Sequence, residues 1–193
     1  MEEKLRLGFA FTGSYCTFSR IFPILEEMAN KAEITPVFSN NSAETDSRFG
    51  LSADFIKRAE EICGKKAITT IAEAEPIGPK KMLDALVIAP CTGNTTAKLA
   101  NGIADTTVTL AAKSQLRNNR PVVIAVSTND GLGANAVNIG RLMARKNVYL
   151  VPFGQDDFAE KENSVVADFK RIPETVAAAL EKRQLQPILV TLG

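Results

Sequence analysis

Residues 85–105, Ala-Leu-Val-Ile-Ala-Pro-Cys-Thr-Gly-Asn-Thr-Thr-Ala-Lys-Leu-Ala-Asn-Gly-Ile-Ala-Asp, combine types and an order suited to holding a ligand. An apolar run ends abruptly at Pro90, Cys91, Thr92, Gly93, Asn94 and Thr95 and then turns helical. That is the pattern of a buried parallel strand delivering polar groups to its carboxyl end. Three other apolar runs end in comparable turns: Thr12-Gly13-Ser14, Ser39-Asn40-Asn41-Ser42 and Ser127-Thr128-Asn129. Their hydroxyls, amides and backbone N–H groups suit a phosphate and a heteroaromatic ring, and a helix amino terminus adds a favourable dipole at the anion.

Several chemistries are excluded. The chain has no histidine, so Ser-His and Cys-His nucleophiles and an imidazole base are unavailable. Proton transfer must use carboxylates, Lys, Tyr, Cys or a cofactor. No Gly-x-x-x-x-Gly-Lys-Ser/Thr stretch is present, which removes an ordinary P-loop nucleotide hydrolase. Cys16, Cys63 and Cys91 are odd in number and far apart, so neither a disulfide framework nor a metal site is expected. Cys91 reads as a small buried residue, since no base accompanies it. Lys and Arg number 23 against 22 Asp and Glu, interspersed without a basic block, and no nucleic-acid partner is expected. The 193 residues, 45% hydrophobic, suit one domain spanning 1–193. The charged start leads into a short apolar run that is neither signal peptide nor membrane span, so the expected location is cytoplasmic.

Polar turns of this kind need a scaffold that gathers strand ends. Strands are expected at 5–11, 34–38, 85–89, 121–126 and 148–151, with a further one near 67–71. Helical patterns lie between them, the first with Phe18, Ile21, Phe22, Leu25 and Met28 on one face and the second carrying Phe55, Ile56, Ala59 and Ile62. Others are expected at 94–101, 105–116, 135–145 and 173–183, and Pro76-Ile77-Gly78-Pro79 reads as a rigid loop. This alternation implies a parallel sheet covered by helices on both faces, with the ligand beyond the strands' carboxyl ends where strand order reverses. Gly131-Leu132-Gly133-Ala134-Asn135-Ala136 also fits a dinucleotide fingerprint, with Asp156 or Asp157 about 20 residues on. Too little chain follows to complete the second mononucleotide-binding half, so this stretch reads as a loop covering the ligand or meeting a partner.

The segment Pro90-Cys91-Thr92-Gly93-Asn94-Thr95 resembles the Pro-Ala-Ser-Ala-Asn-Thr region of FMN-binding flavoproteins that include phosphopantothenoylcysteine decarboxylase and lantibiotic cysteine decarboxylases, and Thr12-Gly13-Ser14 matches their first phosphate-contacting loop. The resemblance covers most of the chain. It implies a Rossmann-like three-layer α/β/α sandwich with a mostly parallel sheet of about six strands, and assembly into a homo-oligomer, a trimer or a multiple of one. It also implies FMN contacts by Thr12, Gly13, Ser14, Ser39, Pro90, Cys91, Thr92, Asn94, Thr95 and Ser127. Each of these has a second reading: Gly13 and Ser14 as a tight turn and cap, Ser39 as loop polarity, Asn94 and Thr95 as helix caps. A chain isolated without FMN is compatible with the resemblance.

Departures from the decarboxylase pattern narrow the chemistry. The active-site histidine is absent, and Val126-Ser127-Thr128-Asn129 stands where those enzymes carry Pro-x-Met-Asn. Within the superfamily the chain is most similar to the B-subunit family of dipicolinate synthases from spore-forming bacteria. The shared stretches are residues 8–17, 76–79 and 129–135. That resemblance implies oxidation of dihydrodipicolinate, a small dicarboxylate, in the mother cell together with an A subunit that binds NAD(P). Asn94 and Asn129 are the candidate catalytic residues. Asn135 is placed at the same site, and Lys98 and Lys113 outside it. Phe49, Leu51 and Phe153 lie in loop-like segments, to be buried either within the monomer or by neighbouring subunits.

Overall fold

The apolar runs form one sheet. In the computed structural model, which describes residues 4–192, β1 (Arg6–Phe11), β2 (Glu33–Phe38), β3 (Ala85–Cys91), β4 (Val122–Thr128) and β5 (Val148–Leu150) pair in parallel. Two further strands, β6 (Phe153–Gly154) and β7 (Val165–Ala167), were not foreseen. β7 pairs antiparallel with both β4 and β6, giving a seven-stranded sheet of order β2-β1-β3-β4-β7-β6, with β5 also on β4. Strands of two and three residues are too short to show a period of two. The mostly parallel, helix-covered architecture is the one expected.

The helices are α1 (Phe18–Ala29), α2 (Asn40–Glu44), α3 (Ser52–Cys63), α4 (Ile71–Ala74), α5 (Gly93–Ala100), α6 (Thr107–Arg117), α7 (Ala136–Met143) and α8 (Ile172–Leu180). α1 and α8 pack on one face of the sheet, with α3 beside α1, while α6, α5 and α7 cover the other. β3 and most of β4 are buried along their length, as strands covered on both faces must be.

Two local expectations are corrected. No strand forms at 67–71: Ile68 makes a single parallel bridge to Val37, and Thr70 then starts α4 with a capping box. Its hydroxyl accepts the Glu73 N–H at 3.2 Å while the Glu73 carboxylate accepts the Thr70 N–H at 3.1 Å. That reciprocal cap outcompetes extension of the strand. Residues 39–42 are also more than a loop, because Ser39 caps α2 by accepting the Ser42 N–H at 3.3 Å.

Phenylalanines lie under the carboxyl end of β1. The Phe11 ring centroid is 4.8 Å from Phe38, and 5.4 Å from both Phe18 and Phe22. Each such pair contributes about 0.5–1.5 kcal/mol beyond burial, and together they hold the last residue of β1 rigid where the following turn must be positioned. Phe153 is buried within the chain, whereas Phe49 and Leu51 are 47% and 52% exposed.

Candidate functional site

Strand order reverses between β1 and β3, and one buried side chain fastens the turns that follow these strands. Thr12 donates its hydroxyl to the Pro90 carbonyl at 2.7 Å and accepts the Thr92 N–H at 3.1 Å. Next to it, Gly13 has no positive φ, and a Cβ built there meets only the Tyr15 ring, at 3.8 Å. Neither backbone conformation nor internal packing therefore calls for glycine. The open side faces two clefts that share Gly13 and Thr92 as their floor.

The first cleft, about 260 Å³, is lined by Ser39, Asn41, Asn94, Thr95, Lys98 and Thr106 around that floor. Its polar groups are mostly engaged. Thr92 caps α5, accepting the Thr95 N–H at 3.3 Å and donating to the Thr95 hydroxyl at 3.1 Å. The Ser39 and Ser42 hydroxyls are 2.9 Å apart, and the Tyr15 hydroxyl donates to the Asn41 carbonyl at 2.7 Å. Lys98 Nζ lies 2.9 Å from both Asp105 carboxylate oxygens, and its hydrogen bond holds the Asp105 carboxyl below its usual range. Asn40 Oδ1, between Ser39 and Asn41, is buried without a partner.

The second cleft, about 390 Å³, lies on the β4 side and is lined by Ser14, Arg20, Ser127, Asn129, Asp156 and Lys161, with Cys16 and Ser164. Ser14 and Ser127 meet across it, their hydroxyl oxygens 3.0 Å apart. Gly93 between the clefts is needed for packing: a Cβ there would lie 2.5 Å from Thr128 Oγ1 and 2.7 Å from both Asn135 Nδ2 and Asp130 Oδ1.

The structure sorts the sequence-derived residues. Gly13, Ser14, Ser39, Thr92, Asn94, Thr95 and Ser127 line one cleft or the other, and Thr12 lines the first while its hydroxyl ties the turns together. Pro90 offers its carbonyl to Thr12 and lines neither cleft. Cys91 is fully buried beside the Thr96 hydroxyl at 3.5 Å. Burial pushes its thiol up to about 12, so it stays protonated and inert. Asn94 and Asn129 are not brought together, since each faces a different cleft. Asn135 is corrected: it is buried, donates to both Asp130 oxygens at 2.9 and 2.8 Å, and supports the turn from behind. Lys98 is corrected in the other direction, since it lines the first cleft, and Lys113 lies in a separate pocket with Leu116 and Arg145.

Arg20, Lys161 and Ser164 also line the second cleft, and none carries a signal in the sequence. Arg20 is the third residue of α1, where a lone charge among apolar residues reads as a solvated face. Lys161 and Ser164 lie on a loop without periodicity. The glycine-rich stretch forms a turn rather than a dinucleotide-binding helix start: Leu132 N–H donates to the Asn163 carbonyl at 3.0 Å and Gly133 N–H to the Asp130 carbonyl at 3.0 Å.

A crevice with this floor, placed at the strand-order switch, is where an open α/β sheet binds its ligand, and the flavoprotein family profile matches residues 1–180 of the chain. The chain belongs to the flavoprotein family. This flavoprotein is 51% identical over 186 residues, 96% of its own length and 93% of the other's, to the B subunit of dipicolinate synthase from Bacillus subtilis (strain 168). The crystal structure of the corresponding dipicolinate synthase B subunit from Bacillus halodurans superposes with a TM-score of 0.89 at 45% identity, covering 97% of this chain and 96% of that one. The FMN-binding protein AtHal3 shares the fold at a TM-score of 0.65 and 20% identity, over 95% of this chain and all of that one. No described helix is long and apolar enough to cross a membrane, and no group of three or more metal-binding side chains occurs among the described residues.

Proposed function

We propose that this flavoprotein is the B subunit of a dipicolinate synthase. It would oxidise dihydrodipicolinate to pyridine-2,6-dicarboxylate together with an A subunit that binds NAD(P). The observation that carries this reading is the 51% identity along nearly the whole of both chains to a subunit of that enzyme. Aromatisation removes a hydride equivalent and a proton from the substrate ring, and bound FMN would supply the two-electron acceptor.

The residues present fit FMN. The first cleft offers hydroxyls, amides and the Lys98 ammonium around a glycine that nothing internal requires, beside the amino-terminal end of α5 with its favourable dipole. Ser39, Asn41, Thr92, Asn94, Thr95 and Lys98 would hold it, with Gly13 admitting it over the floor. Ser14, Ser127 and Asn129 would orient the substrate from the other side. Among the described residues, Asp156 is the only carboxylate lining either cleft, and with no histidine in the chain it would accept the ring proton. Phe49 and Leu51, exposed on the α2–α3 connection, supply apolar surface for the homo-oligomer.

A second reading, that the chain is a flavin-binding structural partner with catalysis in the A subunit, is favoured by the scarcity of proton-transfer groups at the clefts. Reconstitution separates the two. Mixing the chain, its A subunit and dihydrodipicolinate, with and without FMN and NADP, should yield dipicolinate at full rate only when both subunits are present. Full-rate formation by the A subunit alone would overturn the enzymatic role.

A further inference from the structure

The second cleft carries its charge differently from the first. Its wall holds two cations, Arg20 from α1 and Lys161 from the β6–β7 loop, against one carboxylate, Asp156. Neither cation has a hydrogen-bond or ion-pair partner among the described residues, whereas Lys98 across the floor is neutralised by Asp105 at 2.9 Å. The Arg20 guanidinium rests 5.0 Å above the Phe169 ring, which orients it and leaves its N–H donors open. The backbone at Lys161 is set by the fold of its loop. Its N–H donates to the Asp157 carbonyl at 2.8 Å, the Gln155 side chain donates to the Glu162 carbonyl at 2.8 Å, and the Asn163 carbonyl accepts from Leu132 at 3.0 Å.

Two unpaired cations, one of them oriented over an aromatic ring, on a wall that also presents serine hydroxyls and an exposed amide match a small ligand with more than one carboxylate. The cavity of about 390 Å³ falls at the lower end of the roughly 300–1,000 Å³ typical of small-molecule sites. We infer that this cleft is a dicarboxylate subsite, in which Arg20 and Lys161 each hold one carboxylate of a planar heterocycle and Asn129 meets its ring edge. The inference rests on the dipicolinate reading above and assigns residues that reading leaves without a role.

The test is calorimetric titration of the full-length, FMN-saturated protein with dipicolinate and with pyridine-2-carboxylate, which has one carboxylate fewer. Dipicolinate should bind at least about tenfold more tightly, and Arg20→Ala and Lys161→Ala should each weaken it about tenfold, the worth of one charge-assisted contact. Arg20→Lys should recover part of the loss, and Lys113→Ala in the separate pocket should change nothing. Dipicolinate should also slow iodoacetamide labelling of Cys16, the exposed thiol lining this cleft, and this protection should weaken in both alanine variants. Equal affinity for the two ligands, or wild-type affinity and protection in both variants, would overturn the subsite, as would absence of dipicolinate binding. If those variants still make dipicolinate at the wild-type rate with the A subunit, the subsite falls and the proposed function stands. If protection depends on Arg20 and Lys161 but no dipicolinate is formed, the function falls and the subsite stands.

Discussion

The two clefts on either side of Gly13 and Thr92 differ in how far their polar groups are committed. In the first, Thr92 and Thr95, Ser39 and Ser42, and Lys98 and Asp105 are already paired, so its walls are preorganised before any ligand arrives. In the second, neither Arg20 nor Lys161 has a hydrogen-bond or ion-pair partner among the described residues, and Asn129 is exposed. A preorganised wall suits a cofactor that stays, because little ordering remains to oppose binding. A wall of waiting charges suits a substrate that enters and leaves.

That contrast has a common foundation, and removing it has the largest expected effect. Phe11 lies directly before Thr12 and stacks on Phe38 and Phe22, so Phe11→Ala should destabilise the fold by about 3–5 kcal/mol. Because Thr12 fastens the floor of both clefts, FMN retention and dipicolinate binding should fail together in chemical-denaturation and titration series. Loss of one function alone would show that the clefts are independently supported.

Ser14→Trp acts next, and at the floor itself. An indole at the Ser14–Ser127 contact fills the space beside Gly13 and blocks the floor over which FMN would reach toward the second cleft, so FMN affinity should drop by more than about 100-fold, roughly 2.8 kcal/mol. Flavin absorbance after gel filtration reports it, with circular dichroism to show that the fold is retained. Stoichiometric flavin in this variant would confine FMN to the first cleft and sharpen the division between the two.

The fold and the first cleft were largely legible in the sequence, and the second was not, for a physical reason. Strand-end turns such as Thr12-Gly13-Ser14 and Thr92-Gly93-Asn94 are announced by the apolar runs before them, since a buried parallel strand must end where polar residues begin. The wall made by Asp156, Lys161 and Ser164 belongs to a loop between strands of two and three residues, with neither period nor cap to mark it. Asn135 misled because its type and its position after β4 fit a ligand loop, while its commitment to Asp130 exists only in three dimensions. Ile68 misled in the opposite way, a β-branched residue whose strand is cut short by the Thr70–Glu73 cap.

A substitution confined to the first cleft tests the contrast more finely. Lys98→Ala removes a cation facing that cleft, and its effect should be about tenfold on FMN affinity with dipicolinate affinity unchanged. An equal loss of both ligands would mean that they share one charge field.

The smallest effect concerns acid. Asp105 is held below its usual range chiefly by the Lys98 hydrogen bond; burial opposes this, and the Lys98 charge adds a smaller lowering effect. A carboxyl lowered on folding stabilises the folded state above its unfolded pKa, and that contribution is lost as pH falls through the folded value. Wild type should therefore melt slightly above Asp105→Asn near neutral pH, and the two curves should converge in acid below the ordinary aspartate range of about 3.9. Lys98 is then left as unpaired as Arg20 and Lys161 are at neutral pH, and the first cleft takes on the electrostatic character of the second. If melting temperatures of the two proteins differ by the same amount at every pH, the Lys98–Asp105 pair does not neutralise the first cleft, and the charge contrast between the clefts reduces to their shapes.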